Sequence, residues 1–373
     1  MTRIHVALHE RSYDILIARS YAPLPAALHR LGLGPDLAII TNRTVLSRVG
    51  TPLIRLLQRQ GFVCEVALLP DTERAKSWAW TGRLLTAVNR RFRGRVPTIL
   101  AVGGGVVGDA AGFAASILRR GVPLVQVPTT LLAQVDSAIG GKTAIDLPAG
   151  KNLVGAFYQP RLVFSNVAVL RSLDLRQRRS GLAEVVKYGV MADRRLLAYV
   201  ERHAAHALRA EPRVVAALVA DCSRIKARLV SRDEREARGE RTVLNFGHTL
   251  GHGLEAATAY SHQYTHGEAI AIGMLAAGEI AVRLRYWPLS EQARLETLIR
   301  RLGLPTRARD TSVARICAAM RYDKKSVAGA LRWVLPTRIG HAVVAMKIPI
   351  AIVRDAMSQR LSRRPHGVLT PAT

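Results

Sequence analysis

The first part of the chain alternates short apolar segments, rich in β-branched residues, with segments of helical periodicity. Apolar segments of four to eight residues bounded by turn-forming residues are typical of strands, and their alternation with helices is typical of an α/β sheet. We therefore predict an α/β unit up to about residue 170, with a sheet that is largely parallel beyond its first hairpin. The predicted strands are residues 4–8 (IHVAL), 13–18 (YDILIA), 37–42 (LAIITN), 64–70 (CEVALLP), 97–102 (PTILAV) and 123–128 (PLVQVP).

From residue 171 onward the apolar positions follow a mainly helical period. Residues 193–209, 212–231 and 267–285 place apolar side chains at i, i+3, i+4 and i+7, which predicts amphipathic helices. Residues 331–348 predict one small hairpin before a last helix. We expect a Rossmann-like domain over residues 1–170, a mainly α-helical domain over 171–362 and a disordered tail over 363–373, where two prolines interrupt any periodicity.

Composition indicates a folded protein with a substantial core. The chain has 373 residues, of which 49% are hydrophobic. No apolar run approaches the roughly 20 residues that a membrane-spanning helix requires, and charged residues interrupt the N-terminal segment, so we expect a cytoplasmic protein without a membrane partner. The three cysteines are far apart in sequence and predict neither a disulfide framework nor a thiolate zinc site.

The formal net charge of +28 raises the alternative of nucleic-acid binding. The arginines are spread along the whole chain outside any recognisable nucleic-acid module, and only 5% of residues are aromatic, which leaves few platforms for base stacking. We interpret the charge as a solvated basic surface that also attracts an anionic substrate, and no nucleic-acid partner is expected.

A glycine-rich junction follows the fifth predicted strand. In PTILAVGGGVVGDAAGFAAS, residues 97–116, glycines precede a helix of small residues, which allows backbone amides to approach a phosphate. The segment satisfies GxGxxG, but no carboxylate stands near Val125 or Gln126, where a standard dinucleotide fold holds the ribose. The motif favours a variant diphosphate-binding turn, and a tight turn without a ligand is the alternative.

Polar residues stand within the hydrophobic segment that follows, residues 126–160. Buried charges require partners, which either internal ion pairs or a phosphorylated, hydroxylated small molecule would provide. Asn42, Glu73 and Lys76 lie next to predicted strand ends, where α/β proteins bind ligands. The polar residues of the hydrophobic segment are Thr129, Thr130, Asp136, Lys142, Lys151 and Asn152.

Two histidines lie four residues apart on one predicted helical face. His248 and His252 resemble the HExxH spacing of zinc proteases, but Thr249 occupies the position of the catalytic glutamate, so a protease is not expected. His266 begins a further predicted helix, and Glu184 offers a carboxylate on another. Two imidazoles, a carboxylate and an open position suit a catalytic zinc site, with core or capping histidines as the alternative.

Six segments together resemble the 3-dehydroquinate synthase family in order and approximate spacing. The resemblance extends from LHERSYDILI, residues 8–17, to residues 322–340, and the combination of motifs is more specific than any one of them. The segments are GGGVVGDAAGFAAS (103–116), RRGVPLVQVPTTLLAQVDSAIGGKTAID (119–146), GKNLVGAFYQP (150–160), SGLAEVVKYG (180–189), NFGHTLGHGLE (245–255) and HGEAIAIGM (266–274).

The resemblance implies a fold, a reaction and a set of cofactors. An N-terminal Rossmann-like NAD-binding domain would precede a mainly α-helical metal-binding domain, with the active site between them and a homodimer as the usual form. The reaction would convert the seven-carbon phosphate DAHP to 3-dehydroquinate and phosphate. NAD would be used and regenerated, and Zn2+, for which Co2+ can substitute, would hold the substrate.

The resemblance also implies residue roles. The metal ligands would be Glu184, His248 and His266. Arg120 would reach the phosphate from the neighbouring subunit. The substrate would contact Asp136, Lys142, Asn152, Lys187, Lys226, Arg241, Asn245, His252 and Lys324. NAD would contact Asn42, Glu73, Lys76, Gly104, Gly105, Asp109, Thr129, Thr130, Lys142 and Lys151.

Three other enzymes remain alternatives. A related sugar phosphate cyclase, such as 2-deoxy-scyllo-inosose synthase, would share the NAD and zinc sites but alter the residues that recognise the carboxylate. An aminodehydroquinate synthase would keep those residues. A polyol dehydrogenase of the glycerol dehydrogenase type would accumulate NADH.

Overall fold

The computed structural model describes residues 1–260, 263–321, 326–327 and 330–361. The chain folds into two compact units, the first made of Met1–Val185 with Arg202–Arg241, and the second of Val186–Glu201 with Thr242–Thr373. The candidate substrate residue Lys324 and the predicted tail at 363–373 lie outside the described residues.

The first unit is built on a seven-stranded sheet. The order of its strands is β1-β2-β9-β6-β5-β3-β4; β1 and β2 pair antiparallel, and every other pair is parallel. A separate hairpin joins β7 to β8. The strands of this unit are β1 (Thr2–Val6), β2 (Tyr13–Ala18), β3 (Asp36–Asn42), β4 (Val63–Leu69), β5 (Thr98–Gly103), β6 (Leu124–Pro128), β7 (Lys142–Leu147), β8 (Gly150–Phe157) and β9 (Leu162–Asn166).

Helices cover this sheet because its central strands are apolar on both faces. Every residue of β3, β5, β6 and β9 is buried, a pattern typical of a parallel sheet between two helical layers. The helices up to residue 192 are α1 (Leu24–Arg30), α2 (Arg43–Val45), α3 (Thr51–Arg59), α4 (Trp78–Arg91), α5 (Gly105–Ile117) and α6 (Leu175–Ala192).

The remainder of the chain is mainly helical, as predicted. Within the described residues, β12 and β13 form the predicted hairpin before the last helix. The remaining elements are α7 (Arg194–Leu208), α8 (Pro212–Arg232), α9 (His248–Ala257), α10 (His266–Arg283), α11 (Leu289–Arg301), α12 (Val313–Arg321), β10 (Ser326–Val327), β11 (Ala330–Leu331), β12 (Trp333–Arg338), β13 (His341–Ala345) and α13 (Ile350–Gln359).

The α/β class and the predominantly parallel sheet are confirmed, and all six predicted strands form. The sequence pattern did not predict β9, which pairs with β2 on one side and β6 on the other. It also did not identify the β7–β8 hairpin. The strand β9 is only five residues long and buried throughout, so it lacks the alternation by which a strand is recognised.

The compact units divide the chain differently from the boundary predicted after residue 170. Helix α6 starts in the first unit and ends in the second, and α8 belongs to the first unit, where it packs against β1 and β2. Helix α8 buries a face that includes Val215, Leu218 and Cys222, and this apolar face accounts for its packing in the first unit. None of the described helices is long and apolar enough to cross a membrane.

Glycines bring α9 and α10 into close contact in the second unit. A Cβ atom on Gly273 would lie 1.9 Å from the carbonyl oxygen of Gly247, and one on Gly251 would lie 2.7 Å from Ile270. Gly247 has a φ of +79° and stands immediately before α9, a conformation that L-residues rarely adopt. The backbone contact therefore fixes His248 and His266, which begin the two helices.

Replacing Gly273 with alanine should destabilise the second unit, because the clash is with backbone and cannot be relieved by one side chain. We expect a loss on the order of 3 kcal/mol, at the upper end for overpacked positions. Thermal and denaturant unfolding followed by circular dichroism would measure it. Gly82→Ala is the matched control: a Cβ atom there meets nothing within 4 Å on α4, so this variant should gain about 0.5–1 kcal/mol. Equal stability of the two variants would contradict the account.

Candidate active site

Three histidines of the second unit surround a small space. The ring centroids of His248 and His266 are 5.3 Å apart, those of His248 and His252 are 5.2 Å apart, and those of His252 and His266 are 5.9 Å apart. His248 and His252 lie one turn apart on α9, as the sequence predicted. The two helices thus bring imidazole nitrogens together from both sides.

A capping box fixes the start of α10 and with it His266. The Thr265 hydroxyl accepts the backbone N–H of Glu268 at 3.3 Å, and the Glu268 carboxylate accepts the backbone N–H of Thr265 at 2.7 Å. The sequence THGE encodes this arrangement, which satisfies two backbone donors of the first helical turn. His266 is the first residue of the helix, so its side chain starts from a defined backbone position.

Glu184 reaches this cluster from α6, a continuous helix whose last turns already belong to the second unit. Asp174 precedes α6, and its side chain accepts the backbone N–H of Gln177 at 2.7 Å, which caps the helix. Glu184 is fully buried. One ligand atom each of Glu184, His248 and His266 can be chosen such that all three lie within 4.8 Å of one another.

This donor set fits a divalent metal ion. Two imidazoles and one carboxylate are the protein ligands of many catalytic zinc sites, which keep a further position for substrate or water. The three residues together satisfy the chemistry of such a site, and the structure brings the three predicted metal ligands together.

A second cluster, in the first unit, is centred on Lys76. The Lys76 ammonium lies 2.8 Å from the Asp109 carboxylate, 3.8 Å from Glu73 and 3.8 Å from Asp146. It also donates to the side-chain oxygen of Asn152. The Lys76 side chain is only 4% exposed. Here the structure brings four of the predicted residues, Glu73, Lys76, Asp109 and Asn152, to one point, and Lys151 lies 3.7 Å from Glu73.

The charge of Lys76 is held by its surroundings. Burial disfavours the ammonium form, but the nearby carboxylates of Asp109, Glu73 and Asp146 outweigh burial and raise the pKa of Lys76 above its ordinary value. The side chain is therefore charged throughout the physiological pH range. Such a fixed cation, with hydrogen-bonding groups around it, suits the hydroxyl and phosphate groups of a nucleotide.

The glycine-rich turn lies between β5 and α5, where the sequence predicted it. A Cβ atom on Gly104 would lie 3.0 Å from the Thr130 side chain, and one on Gly105 would lie 3.1 Å from Ser137, so the backbone is closely approached at both positions. Thr129 donates its backbone N–H to the carbonyl of Gly103 at 2.9 Å. The turn thus presents the N-terminus of a 13-residue helix, a suitable position for a diphosphate.

Gln126 stands in the region where a standard dinucleotide fold has a ribose-binding carboxylate. It lies on β6 and donates its amide to the carbonyl of Gly108 at 3.1 Å, so it packs against α5. A Cβ atom on Gly108 would lie 2.9 Å from the Gln126 side chain. The third glycine of the motif therefore serves the contact between helix and strand.

Three cations predicted to bind substrate have carboxylate partners in the first unit. Lys226, 6% exposed, forms an ion pair with Asp136 and donates to its backbone carbonyl at 2.7 Å. Lys142 pairs with Glu236, and the Arg241 guanidinium lies 3.6 Å from the same Glu236 carboxylate. The Glu236 carboxylate therefore lies close to both cations, Lys142 and Arg241.

The loop that carries Glu236 and Arg241 is organised around Asp233. Burial alone would raise the pKa of Asp233, but the backbone N–H groups of Arg238, Arg241, Glu240 and Ala237 lower it below its ordinary value. Arg241, only 1% exposed, donates to the carbonyl of Glu234 at 2.6 Å. The buried guanidinium is thus held in place by the loop itself.

Four further predicted residues are Asn42, Arg120, Lys187 and Asn245. Asn42 caps α2 by accepting the N–H of Val45 at 2.8 Å and donates to Asp71 at 2.6 Å. Arg120 is exposed, with a φ of +66°. Lys187 is buried on α6, with its ammonium 4.8 Å from the centre of the Tyr188 ring, and Asn245 is half-buried three residues before the start of α9.

Sequence reasoning missed several acidic members of these clusters. Asp71, Asp146 and Glu236 each contact a predicted residue, but their partners are 29, 70 and 94 residues away in the chain, and no local pattern indicates such pairs. Glu255 could have been found, because it stands three residues after His252 and so on the same face of α9.

Two family models match adjacent parts of this chain. The model for the N-terminal part of 3-dehydroquinate synthase matches residues 66–180, and the model for its C-terminal part matches residues 181–326. Curated relatives carry the same name. The chain is 46% identical to a 3-dehydroquinate synthase of Pelotomaculum thermopropionicum over 92% of this chain and 93% of the relative, and 42% identical to that of Nostoc punctiforme over 95% and 98%.

Solved structures of related cyclases share the fold. A 2-deoxy-scyllo-inosose synthase complexed with carbaglucose-6-phosphate, NAD+ and Co2+ has a TM-score of 0.87 at 24% identity, with 96% of this chain and 100% of the other covered. A 2-epi-5-epi-valiolone synthase of Streptomyces hygroscopicus, with NAD+ and Zn2+ bound, has a TM-score of 0.86 at 27% identity over 95% and 98%. A glycerol dehydrogenase of Schizosaccharomyces pombe is more distant, with a TM-score of 0.65 at 16% identity over 92% and 88%.

Proposed function

The chain belongs to the 3-dehydroquinate synthase family and forms 3-dehydroquinate and phosphate from DAHP, and we propose that it does so with Glu184, His248 and His266 as metal ligands. The observation that carries the proposal is the proximity of these three donor groups. The cofactors are NAD and a divalent metal ion, Zn2+ or Co2+, which the related cyclases of known structure also bind.

The bound NAD would supply reversible hydride transfer at C5, and the metal ion held by Glu184, His248 and His266 would supply polarisation of the C5 hydroxyl. The protein residues would bind and orient the substrate and balance its negative charges. We propose that the Lys76 cluster, with Asn42, Lys151, Thr129, Thr130 and the turn at Gly104 and Gly105, binds the nucleotide. The fixed charge of Lys76 and the helix N-terminus after Gly104 support this assignment.

We propose that the buried cations bind the anionic groups of the substrate. Lys226 and Arg241 are nearly inaccessible to bulk water, so their charges are screened less than those of surface residues. Arg241 offers the planar, two-pronged contact that a carboxylate or phosphate accepts. The remaining proposed substrate contacts are Asp136, Lys142, Asn152, Lys187, Asn245, His252 and Lys324.

His252 is proposed to contact the substrate or carry a proton instead of serving as a fourth ligand. Its ring lies beside both proposed ligand histidines, 5.2 Å and 5.9 Å away between centroids. An imidazole next to the reacting hydroxyl can accept and return a proton near neutral pH. The substrate phosphate can accept the proton next to the oxidised carbon, so the reaction needs no separate strong base.

Product analysis of DAHP turnover tests the proposed function against its alternatives. With purified protein, NAD and Zn2+, we expect one equivalent each of 3-dehydroquinate and phosphate, and no accumulation of NADH at 340 nm. Continuous NADH formation with polyols would indicate a dehydrogenase. Turnover of glucose 6-phosphate in place of DAHP would indicate a 2-deoxy-scyllo-inosose synthase, and turnover of the amino analogue of DAHP alone would indicate an aminodehydroquinate synthase.

We propose further that the enzyme is a cytoplasmic homodimer in which Arg120 contacts the phosphate bound by the neighbouring subunit. The exposure of Arg120 supports this assignment. Analytical ultracentrifugation would give the mass, and Arg120→Ala should raise the KM for DAHP. Heterodimers of Arg120→Ala with a His248→Ala subunit should recover the substrate affinity at one of the two sites only if the arginine acts across subunits.

A further inference from the structure

Glu255 is an acidic residue beside the proposed metal ligands that neither the motifs nor the family resemblance assigned. Its carboxylate oxygen Oε2 lies 3.4 Å from Nδ1 of His266. The Glu255 side chain is only 13% exposed, and the His266 side chain is 29% exposed. The two residues come from different helices, α9 and α10, so the contact depends on the packing that Gly247 and Gly273 permit.

The partners of the ring nitrogens decide which nitrogen of each histidine can bind a metal. A neutral imidazole has one N–H donor and one lone pair, and a metal ion takes the lone pair. Nδ1 of His266 faces a carboxylate, which can only accept a hydrogen bond when ionised. Nδ1 of His248 faces the carbonyl oxygen of Phe246 at 3.2 Å, which can only accept as well.

With these acceptors, the neutral form of each ring would carry its hydrogen on Nδ1 and leave the lone pair of Nε2 for a metal ion. The acceptors differ in charge: His248 faces a neutral backbone carbonyl, and His266 faces a carboxylate. A carboxylate that accepts from the far nitrogen fixes the ring orientation and makes the ligating nitrogen more basic. Of the two ligands, His266 is also the more exposed, so it has the greater need for a partner that restricts its rotation.

We propose that Glu255 is a positioning residue for the metal site: it accepts the Nδ1 hydrogen of His266 and thereby orients Nε2 toward the metal ion. This inference rests on the proposed function of Glu184, His248 and His266 as metal ligands. It assigns no bond between Glu255 and the metal.

A direct ligand role for Glu255 is the competing interpretation. One ligand atom each of His252, Glu255 and His266 also lie within 4.8 Å of one another. The geometry favours the positioning role for two reasons. Glu255 faces the Nδ1 edge of His266, while Glu184 supplies a carboxylate that is fully buried. A single imidazole cannot donate from Nδ1 to Glu255 and also offer that nitrogen to a metal shared with it.

Metal affinity of purified full-length variants tests the proposal without any assay of turnover. Competition with a chromophoric chelator would give the Zn2+ affinity, and the visible absorption of the Co2+ form would report the ligand set. We expect Glu255→Gln to weaken Zn2+ binding on the order of tenfold, since the amide still accepts but carries no charge, and Glu255→Ala to weaken it on the order of 100-fold. The Co2+ spectrum should keep the intensity of a four- or five-coordinate site in both variants.

Glu291→Gln is the matched control. Glu291 is a glutamate on α11 with an ion pair to Arg294 at 3.3 Å, so this variant removes one carboxylate charge and one ion pair. It should keep the wild-type affinity. Far-ultraviolet circular dichroism and the unfolding temperature of all variants would separate loss of metal from loss of fold.

Two results would overturn the proposal. Wild-type Zn2+ affinity in folded Glu255→Ala would show that the carboxylate does not support His266. Complete loss of metal in Glu255→Gln, as severe as in a ligand variant, would show that Glu255 is itself a ligand. Failure of the proposed function would look different: the wild-type protein would bind metal with the predicted dependence on Glu255 but would not convert DAHP.

Discussion

Replacing His248 with alanine should remove the bound metal and nearly all turnover. His248 is only 8% exposed and is one of three groups whose ligand atoms lie within 4.8 Å of one another, so its loss leaves two protein ligands. A metal ion contributes several kcal/mol to stabilising charge in the transition state, and each 1.4 kcal/mol or so is tenfold in rate. We therefore expect kcat/KM for DAHP to fall on the order of 10³-fold or more.

Metal content by inductively coupled plasma mass spectrometry and phosphate release from DAHP would measure this effect. His341→Ala is the matched control, because His341 is exposed on β13 and contacts Thr337 at 2.8 Å. The control should keep one equivalent of metal and full activity. Full metal content and activity in His248→Ala would show that this histidine is not a ligand.

Replacing Lys76 with methionine should weaken both NAD binding and the fold of the first unit. The change leaves the carboxylates of Asp109, Glu73 and Asp146 near one another without their shared cation. Removing one partner of a buried ion pair typically costs about 3–5 kcal/mol because an uncompensated charge remains. We expect an unfolding free energy lower by about that amount and, in the protein that remains folded, an NAD affinity at least about tenfold weaker.

The loss of stability should depend on pH with a defined sign. Burial raises the pKa of Asp109 even in the presence of Lys76, and removing the cation raises it further. A group whose pKa is higher in the folded state binds more protons when folded, so the deficit of Lys76→Met should shrink as the pH falls from about 7 toward 5.

Urea unfolding at several pH values and isothermal titration with NAD would test both statements. Lys347→Met is the matched control, because Lys347 is exposed and no ion pair of its side chain is found among the described residues. This variant should retain wild-type stability and NAD affinity. A pH-independent deficit in Lys76→Met would argue against the carboxylate cluster as its cause.

The sequence predicted those parts of the fold that depend on local patterns. The strand before the glycines, the small-residue helix α5 and the start of α10 at His266 each follow from residues within a few positions, such as the capping box of Thr265 and Glu268. The position of β9 between β2 and β6 follows instead from long-range pairing. No periodicity within its five residues encodes that position.

The same division applies to the site. The lysines, histidines and glycines were predicted because they occur in dense motifs, and the structure places Glu73, Lys76, Asp109 and Asn152 around one point. Two of their counter-charges, Asp146 and Glu236, were not predicted, since they approach their cations only through the β7–β8 hairpin and the loop after α8. Charge balance in a buried site is a property of the folded chain, and local sequence does not reveal it.

The most direct test of the account is phosphate release from DAHP by one preparation that is assayed as purified, after chelator treatment and after titration with Zn2+. We predict that release stops on removal of the metal and returns in proportion to Zn2+ until one equivalent per chain is bound, with 3-dehydroquinate as the product and no net NADH. Undiminished release from folded protein that has been shown to be free of metal would contradict the assignment of Glu184, His248 and His266 as a catalytic metal site.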